Sequence, residues 1–247
     1  MPRDVTIGLV VPFAADQVPF EGPIMYPGVR FVPRGVGVRA LTPEGYDPAW
    51  NGILPAADSL AKEGVDAIMV IGTSLTFYRG PQAHAQLLEE LRERTGLPVS
   101  TMSQALIDGL REVGAERVAV ATAYTDVVNR RLKELLAAAG IDVLALEAFD
   151  LLEFGGPAKK SEAEIIALSD SAVAKANAEQ ATAAEAILIS CGGLRTLGVA
   201  APLEQSHGIP VVSSATAAFW AAMRLVGESG RLDGYGRLFE QSRQPVH

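Results

Sequence analysis

The chain has 247 residues, 49% hydrophobic, 20% charged and only 6% aromatic, which is the balance of a soluble globular protein long enough to bury a sizeable core. Its net charge of −8, with no Lys/Arg cluster, argues against nucleic acid and against anionic membranes as partners. A single cysteine excludes an internal disulfide and a cysteine-rich metal site, and fits a reducing cytoplasm.

The first apolar run, Val5–Val11, reads as a strand. It is too short to span a membrane, it lacks a signal-peptide cleavage pattern, and no run of about 18 apolar residues follows it anywhere. Next come a helical pattern over Pro48–Lys62, a strand at Ala67–Ile71, a helix over Pro81–Arg94 and a strand at Pro98–Thr101. The order then repeats: helix Gln104–Val113, strand Arg117–Thr122, helix Asp126–Ala139, strand Asp142–Leu146 and helix Glu162–Glu179. Strand Ala186–Ser190, helix Ala201–His207, strand Pro210–Ser213 and helix Ala215–Val226 complete it. The strands are continuously apolar, as strands buried on both faces of parallel sheets are, and the alternation predicts an α/β fold with right-handed crossovers.

The chain carries a faint internal echo. "VTIGLVVP" resembles "ERVAVATAY", "DAIMVIGTSL" resembles "EAILISCGGL", and "LPVSTMSQAL" resembles "IPVVSSATAA". Any parallel α/β chain gives some such echo, but the shared order favours two pseudo-symmetric Rossmann-like lobes with a cleft between them. We expect one lobe from residues 1–100 with 214–247 and the other from 101–213.

Ligands of open parallel sheets bind beyond the carboxyl ends of the strands. Three such ends carry chemistry: Gly72-Thr73-Ser74, Thr122-Ala123-Tyr124-Thr125 and Ser190-Cys191-Gly192-Gly193. A free cysteine is ordinarily a small buried hydrophobe. Cys191, however, ends a strand, and the two glycines after it let the backbone approach a ligand. Nucleophilic use of a thiol normally needs a neighbouring histidine. The only three histidines, His84, His207 and His247, are expected on helix surfaces or the tail, which leaves proton transfer as the thiol's fitting role. Thr73 and Ser74 can cap a helix or donate to an anion, and Tyr124 and Thr125 can be an ordinary tyrosine and a helix cap. The Gly72–Gly80 stretch lacks the Gly-Lys-Thr ending of a phosphate loop, and the pair Gly35, Gly37 is too short for a dinucleotide fingerprint and opens no convincing helix.

Six segments together, "TPEGYD" (42–47), "GTSLTFYRG" (72–80), "ATAYTDVVNRRL" (121–132), "SCGGLRTL" (190–197), "GIPVVSSATAAFW" (208–220) and "GYGRLF" (234–239), resemble the arylmalonate decarboxylase family. That family stands in the aspartate/glutamate racemase superfamily beside maleate cis–trans isomerase. The resemblance implies two Rossmann-like lobes with the site between them, and one catalytic cysteine where the racemases carry two. Gly72 takes the place of the first-lobe cysteine and Cys191 is the thiol that remains.

By the same resemblance, the substrate is a malonate with an α-aryl or α-alkenyl group. Thr73, Ser74, Tyr124 and backbone N–H groups near Ser74, Cys191 and Gly192 would bind the retained carboxylate. Pro12, Val38, Leu41, Tyr46 and Leu75 would form an apolar pocket for the carboxylate that leaves. Cys191 would protonate one face of the enediolate and give a chiral monoacid, with no cofactor or metal, in a cytoplasmic monomer or small homo-oligomer.

Two departures from the family pattern bear on the substrate: Phe13 stands where a second proline is expected, and "FDLLEFGGPAKK" (149–160) aligns poorly, with Leu151, Leu152 and Phe154 as candidate wall residues. Arg39 and Arg195, near the site in sequence, are expected to be exposed. A racemase or isomerase of a small dicarboxylate or amino acid is the alternative, against which the single cysteine counts. A small-acid binding protein on the same lobes is a third reading.

Overall fold

A computed structural model describes residues 4–179 and 182–240. The expected tail histidine, His247, and the last seven residues assigned to the first lobe lie outside them.

The chain builds two four-stranded parallel sheets. The first holds β1 (Thr6–Val11), β2 (Arg30–Gly35), β3 (Ala67–Val70) and β4 (Val99–Thr101), in the order β2-β1-β3-β4. The second holds β5 (Arg117–Thr122), β6 (Asp142–Ala148), β7 (Ala186–Ser190) and β8 (Val211–Ser213), in the matching order β6-β5-β7-β8. The three echoed segment pairs therefore occupy equivalent places: β1 with β5, β3 with β7, β4 with β8. The central strands are almost wholly buried on both faces, as their unbroken apolar runs require.

β2 has no counterpart among the expected strands. Its sequence, RFVPRG, carries a proline opposite Leu9 of β1 and breaks the apolar pattern. An edge strand tolerates both faults, because Pro33 has no inner ladder to donate to and one side faces away from the sheet.

The helices are α1 (Glu21–Met25), α2 (Pro43–Lys62), α3 (Thr73–Phe77), α4 (Pro81–Thr95), α5 (Met102–Glu112), α6 (Asp126–Ala138), α7 (Glu162–Glu179), α8 (Ala200–His207), α9 (Ser214–Leu225) and α10 (Arg237–Glu240), with a 3₁₀ turn at Pro157–Lys159. The expected start of α2 at Pro48 is corrected to Pro43. Thr42 caps it by accepting from the Gly45 N–H at 3.2 Å, and Pro43 takes the first turn, where its missing N–H costs nothing. The short α1 and α3 escape a reading based on periodicity because five residues hold barely more than one turn.

α9 carries the chain back from the second sheet. It packs on α5 and on β3 and β4 of the first sheet as well as on β8. α3, which opens directly after β3, packs against α5 and α6 and so meets the second half of the chain. Among the described residues, no helix is long and apolar enough to cross a membrane.

Candidate active site

The carboxyl ends of β1, β3 and β7 open onto one cavity of about 230 Å³, at the lower end of the volumes that hold small organic ligands. Gly72, Thr73 and Ser74 reach it from the β3 end, and Cys191 and Gly192 from the β7 end. Pro12, Val38, Leu41, Tyr46 and Leu75 supply apolar wall.

Gly72 turns the chain from β3 into α3 at φ +120°, a conformation that side chains disfavour. A β-carbon there would stand 3.3 Å from the Leu75 Cβ. Because α3 starts at once, its first residues, Thr73 and Ser74, present their side chains at the cavity instead of capping the helix. Gly72 is the cap residue and no side chain caps it.

The polar corner is built from neutral hydroxyls. Tyr46 donates to the Ser74 Oγ at 2.8 Å. Thr73 Oγ1 donates to the Ser214 Oγ at 2.9 Å, and the Cys191 N–H donates to the same oxygen at 3.1 Å. The Cys191 amide, expected to face the retained carboxylate, is thus directed at a hydroxyl at the start of α9. Beneath this corner Ser103 donates to the Thr73 carbonyl at 2.8 Å and lies 2.6 Å from the Thr76 Oγ1.

Tyr124 does not line the cavity. It is fully buried behind the corner, its hydroxyl 3.4 Å from the Ser190 Oγ, and it neighbours both Thr73 and Cys191. Burial, reinforced by the nearby thiol, holds its phenol well above the ordinary range, so it keeps its proton and can donate. Its partner in the sequence reading, Thr125, precedes α6 without a side-chain capping bond.

Cys191 is 5% exposed. Burial pushes its thiol up to about 11, although the Gly193 N–H, the Tyr124 hydroxyl and the Leu194 N–H all favour the thiolate. The sulfur is therefore protonated at neutral pH. A β-carbon on Gly192 would lie 2.6 Å from the Met102 sulfur, so glycine is what lets the backbone pass between Met102 and the cavity.

The histidine expectation needs correction. His84 is not on a surface: it is 3% exposed, its Nε2 lies 2.7 Å from the Thr101 Oγ1, and burial lowers it to about 4. Its place in α4 turns it under β4, away from the cavity lining. His207 is half-buried and bonded to Asp170 at 2.7 Å. Neither lines the cavity with Cys191.

Of the residues singled out in the two departures from the family pattern, two are on the cavity wall and two are not. Phe13 and Phe154 do reach the cavity, edge to face with centroids 6.2 Å apart, whereas Leu151 and Leu152 do not. The Leu152 carbonyl is instead engaged by the Leu41 N–H at 2.9 Å, which fastens the 149–160 segment across the top of the pocket and brings Phe154, Gly155, Pro157 and Ala158 to the wall. Arg39 is exposed and off the cavity, while Arg195 is exposed yet on its rim. Gln17, Phe20, Glu21, Met102, Ala215 and Phe219 also line it. Glu21 gave a sequence signal of a kind, an acidic residue between Phe20 and Gly22, but nothing local tells that it is buried. Among the described residues no group of three or more His, Cys, Asp or Glu could hold a metal ion.

The family model described as arylmalonate decarboxylase matches residues 7–239. The chain belongs to the arylmalonate decarboxylase family. Membership makes it a carboxy-lyase. It is 42% identical to the arylmalonate decarboxylase of Bordetella bronchiseptica over 96% of this chain and 97% of the relative. A glycine-to-cysteine, cysteine-to-serine double mutant of arylmalonate decarboxylase, solved in a liganded form, superposes with a TM-score of 0.92 at 40% identity, covering 96% of this chain and 100% of that one. The maleate isomerase of Nocardia farcinica is more distant, at 28% identity over 95% of each chain.

Proposed function

We propose that this member of the family decarboxylates α-aryl and α-alkenyl malonates without a cofactor and protonates the product on one face from Cys191. The observation that carries the reading is the meeting of one protonated thiol, a corner of neutral hydroxyls and an apolar wall on a single small cavity.

One substrate carboxylate sits at the Thr73-Ser74 corner, where hydroxyls donate to it. The other faces Val38, Leu41 and Leu75, a wall that offers it no hydrogen bond. An anion left without partners costs several kcal/mol, roughly, and its departure as CO₂ removes that cost. The bond from the α-carbon to that carboxylate breaks, and its electron pair spreads into the retained carboxylate as an enediolate. The charge thus grows on the oxygens that the corner addresses, and one well-aimed donor there is worth about 3 kcal/mol. The α-carbon then takes the proton from the Cys191 sulfur, and the thiolate regains one from water. Consumption of a malonate dianion releases CO₂ and raises the pH.

A thiol held at about 11 suits this step, because it carries its proton when the carbanion forms. Gly72, on the β3 side, offers no second proton donor, so the product keeps one hand. The expected division into lobes, 1–100 with 214–247 against 101–213, is consistent with this reading, each lobe bringing one side of the cleft.

Incubation with phenylmalonate and methyl-phenylmalonate in the absence of added metal or cofactor tests the reading through CO₂ release, with chiral chromatography of the methyl product. Turnover that disappears in Cys191→Ala, and one dominant enantiomer, are expected. Failure on a full malonate panel rejects it. Retained ligand affinity without turnover in both proteins would point to a binding protein, and exchange of the product's α-proton would point to a racemase.

A further inference from the structure

The mechanism leaves unused a carboxyl that the cavity nevertheless contains. Glu21 lines the pocket at 3% exposure, and among the described residues its carboxyl has no side-chain hydrogen bond or ion pair, only its own backbone N–H. Packing gives no reason for a charge-bearing group there. The adjoining Gly22 packs on Phe219, whose ring would lie 2.5 Å from a β-carbon there, and Phe219, Ala215 and Phe20 line the same cavity as Glu21. An apolar side chain would fill that place at lower cost. Burial raises the carboxyl to about 7, so near neutrality it exists in both forms and can accept or donate a hydrogen bond.

The second polar group on this part of the wall is Arg195. It stands four residues beyond Cys191, on the loop leaving β7, with its guanidinium 5.8 Å from the Phe20 ring centroid and close enough to favour the ionised form of Glu21. Guanidinium donors only give hydrogen bonds. A cationic substituent entering this region would be repelled by Arg195, and an anionic one by Glu21 once ionised. The group that satisfies both is neutral, accepts from Arg195 and gives to Glu21. A phenolic hydroxyl does this, and the ring that bears it suits the aromatic and aliphatic surface of Phe13, Phe20 and Phe219.

We propose that Glu21 and Arg195 form a distal subsite for a hydroxyl on the substrate's aromatic ring, which makes hydroxyaryl malonates the favoured class. The proposal rests on the decarboxylase reading above for the malonate half of the molecule. It concerns specificity, with no added chemical step.

Binding of phenylacetate and of meta- and para-hydroxyphenylacetate, the corresponding products, is measured by calorimetry, and kcat/KM is compared for phenylmalonate and its hydroxy derivatives. For at least one ring position the hydroxyl should improve both by roughly threefold to tenfold, the worth of a net hydrogen bond. In Glu21→Leu and in Arg195→Leu that ratio should fall to near one. Arg195 is exposed, so its variant reports even if the α1 variant folds poorly. Equal binding of hydroxylated and plain acids by the unaltered protein overturns the subsite while leaving the decarboxylase reading intact. A hydroxyl preference in binding with no malonate turned over does the reverse.

Discussion

Replacing Glu21 by glutamine while titrating stability separates the cost of that buried carboxyl from everything else in the chain. In the unfolded chain the group loses its proton near 4.5, and in the folded protein near 7. Below 4.5 it is neutral in both states and costs nothing. Between these values the folded state holds a proton that the unfolded state has released, so native stability falls as pH rises, and the loss is complete above 7. At about 1.4 kcal/mol for each tenfold change in proton affinity, the full penalty is roughly 3 kcal/mol.

His84 works in the opposite sense. Lowered to about 4 by burial, it contributes stability above 6.5 that is lost as pH falls toward 4, so in the protein alone the two opposed slopes largely cancel between 4.5 and 6.5. The difference between protein and Glu21→Gln cancels the histidine, which is untouched in both. At about 2–4 °C per kcal/mol for a chain of this size, the variant should gain roughly 6–12 °C in Tm relative to the parent between pH 4.5 and pH 8. Scanning calorimetry across that range measures it. Two Tm curves that run parallel, with a constant offset, would refute the claim that the carboxyl is buried without a partner.

Alkylation of Cys191 by iodoacetamide, followed by mass spectrometry, should be slow at pH 7.5, since a thiol at about 11 holds roughly 300-fold less thiolate there than an ordinary one. The rate should still be climbing at pH 10, and levelling off near pH 8.5 would contradict a thiol kept protonated for carbon. Ser214→Ala strands the Thr73 hydroxyl and the Cys191 N–H together, both buried. Each orphaned donor costs roughly 1–3 kcal/mol, so urea denaturation should show a loss of about 2–6 kcal/mol, with kcat reduced more than KM is raised. Unchanged kcat would mean that this oxygen does not position the corner.

The strands with unbroken apolar runs were legible in the sequence because burial on both faces leaves no room for a polar residue. β2 was not, since an edge position permits the Arg30, Pro33 and Arg34 that erase the pattern. The three strand ends that carry Thr73, Cys191 and Tyr124 could be found by asking where parallel strands stop. What spacing could not tell is which of those side chains face the opening. Tyr124 turned inward, and His84, on a helix whose polar residues mostly face water, fell on its buried side. The far wall depended on longer connections: Phe154 and Glu21 arrive on segments whose course is fixed by contacts across the fold, the Leu41–Leu152 bond among them, and no local periodicity records such contacts.

The Ser214 oxygen carries a consequence for how molecules come and go. It accepts at once from the β3 end and from the β7 end, one in each sheet. Prising the sheets apart like a clamshell would sever one of these two buried links, whichever half Ser214 moves with, so breathing of the two halves carries the cost of a lost buried hydrogen bond. Residues from 13–21 border the cavity on one margin and residues from 154–158 on the other, so passage between these covering strips needs no parting of the sheets.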